Sequence, residues 1–301
     1  MYACSSMLTG LGNIAIGSYD GTTAGPMRLS TAASNCIAVG TGSLAAIATS
    51  DADGTIAIGY KSLNAITSGQ SNVAIGYQAG LENAIGDCNT SIGHDSWKDS
   101  LGSLQNDHNT FMGFNSGAGT WVTAASSGNV GIGSTTLQGA MNAADYNTAV
   151  GFQAGKNVTT ADQNTLIGLS AGYNLTTGGN NTMIGAETGY NSVDVDRTVM
   201  IGKNAGFTNM TADADGTVSI GYDSGRTVSD GQYNTHVGYK SGSENNGDKN
   251  TALGYGSFTD TLASLQNDSN TAIGYNSMNG TWLTAASTDN TAVGASTMTG
   301  A

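Results

Sequence analysis

The residues with the clearest metal-binding spacing are two copies of an Asp-x-Asp-Gly motif. The first holds Asp51 and Asp53, and the second holds Asp213 and Asp215. Alternate carboxylates on a glycine turn can share a hard cation, and this is the spacing of the first half of a calcium loop. The remaining ligands of a twelve-residue loop are missing, so the preferred interpretation is an acidic turn, with calcium as the alternative.

No other residues are arranged for catalysis. The histidines are scattered, and no Ser-His-Asp or Cys-His pairing is supported. Glu82, Glu187 and Glu244 are too sparse to nominate a glycosidase pair. The chain has no Gly-Lys-Ser/Thr phosphate loop. We therefore expect no enzyme, no catalytic or cofactor-binding residue, and no cofactor apart from the calcium alternative.

These residues sit within a short repeat that runs along the whole chain. An Ile-Gly or Val-Gly dipeptide, sometimes Leu-Gly or Met-Gly, returns with a period near 17 residues, as between Gly59, Gly76 and Gly93. A fixed short period is the signature of a solenoid, in which each unit buries its apolar side against the next. The sequence predicts an all-β parallel β-solenoid, or β-roll, of about sixteen coils without capping domains.

The repeat also predicts one short strand in each coil. The residue before each repeat glycine is apolar, and the residue three before it is Thr, Val or Ile. A mostly small residue lies between them, and this alternation is typical of a strand. We expect the two larger side chains, for example Ile16, Ile75, Ile184 and Ile273, to point inward.

An asparagine recurs four residues before the repeat glycine. Stacked coils would align these side chains into a ladder along the axis, in which each amide donates to the next carbonyl. A structural ladder is preferred over a ligand site, because a ligand site would not need so many copies. The predicted ladder comprises Asn72, Asn89, Asn109, Asn129, Asn147, Asn164, Asn181, Asn234, Asn250, Asn270 and Asn290.

Two further positions of the repeat carry characteristic residue types. Four residues after the glycine, the chain has either Gly, which suits a tight turn, or a bulky residue such as Leu63 or Trp97, which suggests a wider corner. The residue after the glycine is often aromatic, and stacked rings would shield a strand edge. An aromatic stripe could also bind sugars, but the shielding role is preferred.

A longer duplication is superimposed on the short repeat. The segment from Ser103 to Thr110 reappears from Ser264 to Thr271, with most residues unchanged. We interpret residues 1–301 as a single elongated repeat domain, in which a nine-coil cassette, 40–201, is repeated incompletely from 202 to 301. Such duplication is how a part that sets length grows, whereas a catalytic site needs one copy.

The charge and composition of the chain disfavour some classes of binding partner. The chain has 9 basic and 22 acidic residues, for a net charge of −13. This balance disfavours nucleic acid and anionic membrane surfaces as partners. Apolar runs are only a few residues long, so no membrane insertion is expected.

The frame in Asn147–Gly155 and Asn270–Tyr275 resembles repeats in bacteriophage tail-fibre proteins, and is similar to Ala-Ile-Gly repeats in trimeric autotransporter adhesin heads. The resemblance implies a fibre displayed outside a cell or on a virion surface. We expect a structural fibre or extracellular filament subunit. The alternative is an adhesin segment that binds a receptor or glycan. An ice-binding rod ranks below both, because the threonine row is expected to face inward.

The partner expected from the sequence is the chain itself. The first and last residues both resemble the interior of the repeat, so the chain starts and stops in mid-pattern. Uncapped coils should associate, which predicts a head-to-tail polymer or a homotrimer.

Overall fold

A computed structural model describes residues 10–17, 33–46, 52–99, 103–121, 124–208, 210–211, 214–259, 267–280 and 287–299. The chain divides into two compact units, Met1–Val150 and Gly151–Ala301. We call them unit 1 and unit 2.

Unit 1 contains eight three-residue strands among its described residues. Each pairs in parallel with the next along the chain, so that equivalent repeat positions are in register, as where Ala57 faces Ala74. The strands are β1 (Ile14–Ile16), β2 (Ile37–Val39), β3 (Ile56–Ile58), β4 (Val73–Ile75), β5 (Thr90–Ile92), β6 (Thr110–Met112), β7 (Val130–Ile132) and β8 (Thr148–Val150).

Unit 2 repeats this arrangement. Its described residues again form eight parallel strands in chain order, with Met183 facing Met200 in register. The strands are β9 (Thr165–Ile167), β10 (Thr182–Ile184), β11 (Val199–Ile201), β12 (Val218–Ile220), β13 (Thr235–Val237), β14 (Thr251–Leu253), β15 (Thr271–Ile273) and β16 (Thr291–Val293).

The predicted fold class, an all-β parallel β-solenoid with one strand in each repeat, is confirmed. Hydrogen bonds between coils continue beyond the strands: Lys61 N donates to Thr41 O at 2.9 Å, and Leu63 N donates to Ala79 O at 3.0 Å. The backbone of each coil is therefore held by its neighbours around the turns as well as along the strand.

The repeat glycine ends each strand because no other residue fits there. Gly76 has φ +142, and a Cβ at this position would lie 2.3 Å from the carbonyl oxygen of Gly93 in the next coil. Repeat glycines therefore stack on one another, and a side chain would meet immovable backbone.

The expected orientation of the strand side chains was wrong. In every strand the middle residue faces the interior: Ala57, Ala74 and Ala149 have no exposed surface. The larger flanking residues point outward, and Ile16 and Ile75 are 59% and 37% exposed. Alternation along a strand separates two faces but does not say which is the core. Here the interior is narrow, so mostly small residues line it.

One large side chain fills most coils, and it comes from either of two positions. In six coils the middle strand residue is small and the residue four after the glycine is bulky and buried, as in Ala57 with Leu63. Both residues are small in the coils of Ala74, Ala149 and Ser219. Where the strand residue is bulky, a glycine takes the other position, as in Phe111 with Gly117, where a Cβ would lie 2.6 Å from the Phe111 ring. The core volume of the coil is thus kept by exchanging the two positions.

The backbone at the second position is left-handed whichever residue occupies it. Gly117 has φ +66, and Leu63 and Trp97 have φ 44 and 49. The bulky residues therefore do not mark a different turn conformation. They occupy the glycine conformation, which is strained for a residue with a Cβ, because their side chains fill the core.

Candidate functional site

The asparagine row forms hydrogen bonds between successive coils. The side-chain oxygen of Asn89 accepts from the backbone N–H of Asn109 at 2.8 Å, and its amide donates to the carbonyl of Asn106 at 2.8 Å. Asn109 repeats this pattern with Asn129 and Ser126, at 3.0 and 2.9 Å. The amides thus bind mainly backbone carbonyls of the next coil.

Equivalent bonds recur through both units. In unit 2, Asn181 N donates to Asn164 Oδ1 at 3.0 Å, and Asn250 N donates to Asn234 Oδ1 at 2.8 Å. Threonine replaces the asparagine at Thr198, whose Oγ1 donates to Asn181 Oδ1 at 2.7 Å. Most of these side chains are buried and hydrogen-bonded to backbone groups of adjacent coils, although the Asn250 amide nitrogen is buried without a partner.

Two of the four aspartates considered for calcium are engaged with backbone. Asp53 Oδ1 accepts from Ser34 N at 2.6 Å. Asp215 accepts from Asp196 N at 2.7 Å and forms an ion pair with Arg197 at 2.8 Å. Their motif partners, Asp51 and Asp213, lie outside the described residues. Within the described part of the chain, no group of three or more His, Cys, Asp or Glu residues could hold a metal ion.

An aspartate row was missed in the sequence. Asp87 N donates to Asp107 Oδ1 at 2.8 Å, and Asp248 N donates to Asp268 Oδ1 at 2.8 Å. These residues, like Asp53 and Asp215, lie six positions before a repeat glycine. Aligning the coils on that glycine would have revealed the row, and its carboxylates act as backbone acceptors that join successive coils.

The outward strand residues form a continuous face in each unit. The residue before the glycine is apolar in every strand, with exposures of 37% at Ile58, 40% at Ile132 and 46% at Leu253. With strands ~4.8 Å apart and ~3.3 Å per residue, eight three-residue strands cover about 400 Å². We call this surface the strand face.

The strand face differs between the units in its second row, three residues before the glycine. In unit 2 threonine occupies six of the eight positions, and valine occupies the others, Val199 and Val218. In unit 1 most of these positions carry isoleucine or valine. Neither row carries a charged side chain in either unit.

Aromatic side chains stack from coil to coil beside the strand face. In unit 2, the rings of Tyr222, Tyr239, Tyr255 and Tyr275 have centroids 4.9–5.3 Å apart. In unit 1, Tyr60, Tyr77, His94 and Phe114 form a similar row. Stacked neighbours cover both faces of each inner ring, which therefore presents only its edge to solvent.

A second aromatic stack in unit 2 lies five residues after the glycine. It runs from Tyr173 through Tyr190 to Phe207, with centroids 4.9 and 5.6 Å apart. The Lys156 ammonium lies 5.3 Å from the Tyr173 centroid and the Arg226 guanidinium 5.5 Å from that of Phe207. A cation therefore lies over the outermost ring at each end of the stack, where the electron-rich ring face attracts it.

A groove of about 400 Å³ lies in unit 2 next to the Tyr222–Tyr275 stack. Four charged residues, Asp223, Arg226, Lys240 and Glu244, line it together with the two tyrosines at the end of the stack. The rest of the lining is Thr227, Ser243, Gly256, Thr259, Asn276 and Asn279. The groove thus combines hydroxyl, amide and charged groups with ring edges.

His236 is a buried polar residue in the interior of unit 2. It occupies the middle of β13, and neither ring nitrogen has a hydrogen-bond partner. Burial lowers the pKa of His236 from 6.5 to about 4, because the interior disfavours the charged imidazolium. Ser219 and Ala252 flank it in register, so no charged group on the neighbouring strands offsets this effect.

No protein-family model matches the chain, and no curated protein matches its sequence. The described residues contain no helix of the length and hydropathy needed to cross a membrane.

Proposed function

We propose that the chain is a structural fibre or filament subunit, of the phage tail-fibre kind, displayed outside a cell or on a virion. Its work is reach and rigidity, and it assembles with copies of itself. The observation that carries this proposal is the strand face, an outward apolar row repeated on every strand.

Rigidity is supported by the bonds between coils. Backbone hydrogen bonds, the asparagine row and the aspartate row all join one coil to the next. Because these contacts recur with each repeat, stability adds along the axis and length can grow by duplication.

The strand face supports lateral association. The strand face of unit 1, about 400 Å² with mostly apolar residues in both rows, has the size of the largest apolar patch on a typical monomer, and such a patch often marks an interaction site. The net charge of −13 would oppose contact between copies. However, the strand face itself carries no charge, so apolar surface can be buried there without pairing like charges. A second or third copy presenting the same face is the partner that fits.

Sedimentation of the purified chain tests this proposal. At micromolar concentration we expect particles that are defined multiples of the 30.2 kDa chain. Replacing Ile75 and Ile132 by Lys should dissociate them, because each copy would then bury unpaired charges in the contact. The matched control is Tyr146→Lys, which adds a charge at a turn residue that is 64% exposed.

Three outcomes are informative. Dissociation of the Ile75→Lys/Ile132→Lys variant with an intact control supports lateral association. Polymers that persist in both variants indicate head-to-tail association instead. A stable 30.2 kDa particle for the unsubstituted chain would contradict assembly altogether.

Ice binding is a second candidate, favoured by the outward threonine row of unit 2. The row was expected to face inward, and the structure places it on the strand face. Adjacent parallel strands place their threonines about 4.8 Å apart along the axis, so hydroxyl and methyl groups repeat along the strand face on either side of Val199 and Val218. Inhibition of ice recrystallisation that is lost in Thr182→Lys/Thr251→Lys would support it, and ordinary ice growth in the presence of the unsubstituted chain would exclude it.

A further inference from the structure

One residue in the lining of the groove of unit 2 is a glycine. Gly256 stands two positions after its repeat glycine, where the flanking coils carry Lys240 and Asn276. It is buried and forms part of the groove lining. Its φ of +58 is the left-handed conformation that the other residues at this position adopt with side chains. A Cβ at Gly256 would lie 2.4 Å from Asn276 Oδ1, so the glycine leaves room for the Asn276 side chain, which also lines the groove.

Unit 1 offers a natural comparison at the corresponding place. Where unit 2 has Gly256 and Thr259, the first copy of the cassette has Asp95 and Lys98. These two side chains form an ion pair, with 3.8 Å between the Lys98 ammonium and the Asp95 carboxylate. The duplicated sequence thus carries a charged pair in one copy and, in the other, a glycine and a threonine that line the groove.

The polar groups around the groove are held in position by their neighbours. Arg226 lies over the Phe207 ring and 3.7 Å from the Asp223 carboxylate. Lys240 lies over the Tyr239 ring, with 5.7 Å between the ammonium and the centroid. Groups fixed before binding lose little conformational entropy when a ligand arrives.

The lining indicates the chemistry of the ligand. Asp223 and Glu244 balance Arg226 and Lys240, so the formal charges of the groove cancel and neither a strong anion nor a strong cation is favoured. A ligand pocket for an apolar molecule would be lined mainly by hydrophobic side chains, which this one is not. Its hydroxyl, amide and carboxylate groups instead suit a ligand with many hydroxyls.

We propose that this groove binds a short, neutral oligosaccharide. The electropositive ring edges and the hydroxyls of the two tyrosines contact oxygen atoms of the sugar, and the other polar groups bind its hydroxyls. The proposal adds a recognition site to the fibre role and specifies the ligand of an adhesin segment. It does not depend on lateral assembly, since every lining residue belongs to unit 2.

The test screens the full chain against an array of neutral and acidic oligosaccharides. The strongest neutral glycan is then titrated by saturation-transfer NMR. The key variant, Gly256→Asp/Thr259→Lys, copies the side chains of unit 1 into the groove and should weaken binding at least tenfold. Asn279→Ala, a milder change to the lining, should weaken it severalfold.

The matched control is Ser296→Asp/Thr299→Lys, which places the same side chains at the same repeat positions outside the groove. Ser296 already has φ 53, so Asp is accommodated there as Asp95 is in unit 1. Circular dichroism checks that each variant is folded.

Binding of a neutral glycan that is lost in the groove variant and kept in the control supports the site. Binding of acidic glycans alone, no binding at all, or neutral binding unchanged in the groove variant would overturn it. Sedimentation reports assembly separately, so a monomer that binds the glycan leaves the groove proposal standing while the fibre proposal fails.

Discussion

Acid should weaken unit 2 through one histidine. His236 is fully buried with both ring nitrogens unpaired, and its pKa is lowered to about 4 from 6.5. The informative perturbation is His236→Met, because Met183 in β10 and Met200 in β11 occupy the same strand position and are also fully buried. Each is accompanied by a glycine four residues after the repeat glycine, as His236 is by Gly242, so the variant fits an arrangement that the chain already uses.

The magnitude follows from linkage. The unfolded chain protonates this histidine near pH 6.5, whereas the folded chain does so only near 4, so the unfolded state binds more protons between these values. Stability therefore falls as the pH drops through this window. Each unit of pKa difference is worth about 1.4 kcal/mol, which gives a loss of about 2 kcal/mol at pH 5 and about 3 kcal/mol below pH 4.

Urea unfolding followed by circular dichroism at pH 7 and pH 5 measures the effect. At pH 7, His236→Met should already stabilise the protein by about 1 kcal/mol, because it removes two unpaired buried nitrogens. Lowering the pH to 5 should widen the difference in free energy of unfolding between the two proteins by about 2 kcal/mol. All other titrating groups are the same in both proteins, so their contributions to the pH dependence of stability cancel in this difference. An equal difference between the two proteins at both pH values would refute the assignment.

Three further outcomes are expected in urea unfolding at pH 7. Asn109→Ala should lower the free energy of unfolding by about 3 kcal/mol because it leaves buried backbone groups of the next coil unpaired. Asn109→Thr should cost less, since Thr55 Oγ1 accepts from Asn72 N at the equivalent position, and equal costs would contradict the role of the side chain. Phe111→Ala should lower the free energy of unfolding by about 3–5 kcal/mol. Adding Gly117→Leu should restore most of this loss, because the leucine fills the cavity from the other core position. A double variant no more stable than Phe111→Ala would refute the exchange of volume between the two positions. Lys249→Gly should raise the free energy of unfolding by about 0.5–1 kcal/mol, because this exposed residue has a left-handed φ of 58, which strains any residue with a Cβ. Lys249→Ala should leave the free energy of unfolding unchanged. A glycine variant that is less stable would contradict this account of the strain.

The solenoid could be predicted from the sequence because its constraints are local and repeated. A repeat glycine such as Gly76 must be glycine, since the next coil lies against it, and that requirement marks every turn of the chain. The asparagine and aspartate rows follow from the same alignment. Only the asparagine row was found, because the aspartates are interrupted by Gln70, Gly179 and Gln232, which interact through their backbone.

The exchange of a bulky side chain between two core positions is recognised only in the three-dimensional structure. The sequence shows that Gly and bulky residues alternate four positions after the repeat glycine. It does not show that this choice depends on a residue six positions earlier, as between Phe111 and Gly117. The two positions share one cavity only when the coil is closed, so the correlation becomes physically meaningful in three dimensions.

By itself, the sequence determined the period, the strand in each coil and the axis along which polar rows stack, because all of these follow from spacing along the chain. Tertiary structure decided which strand face is buried, and with it whether Ile75 forms core or surface. Alternation is symmetric between the two faces, and only the narrow interior of a short closed coil favours the small residue. Tertiary structure likewise decided that Gly256 lies in a groove, since residues from several coils line it together only when the coils are stacked.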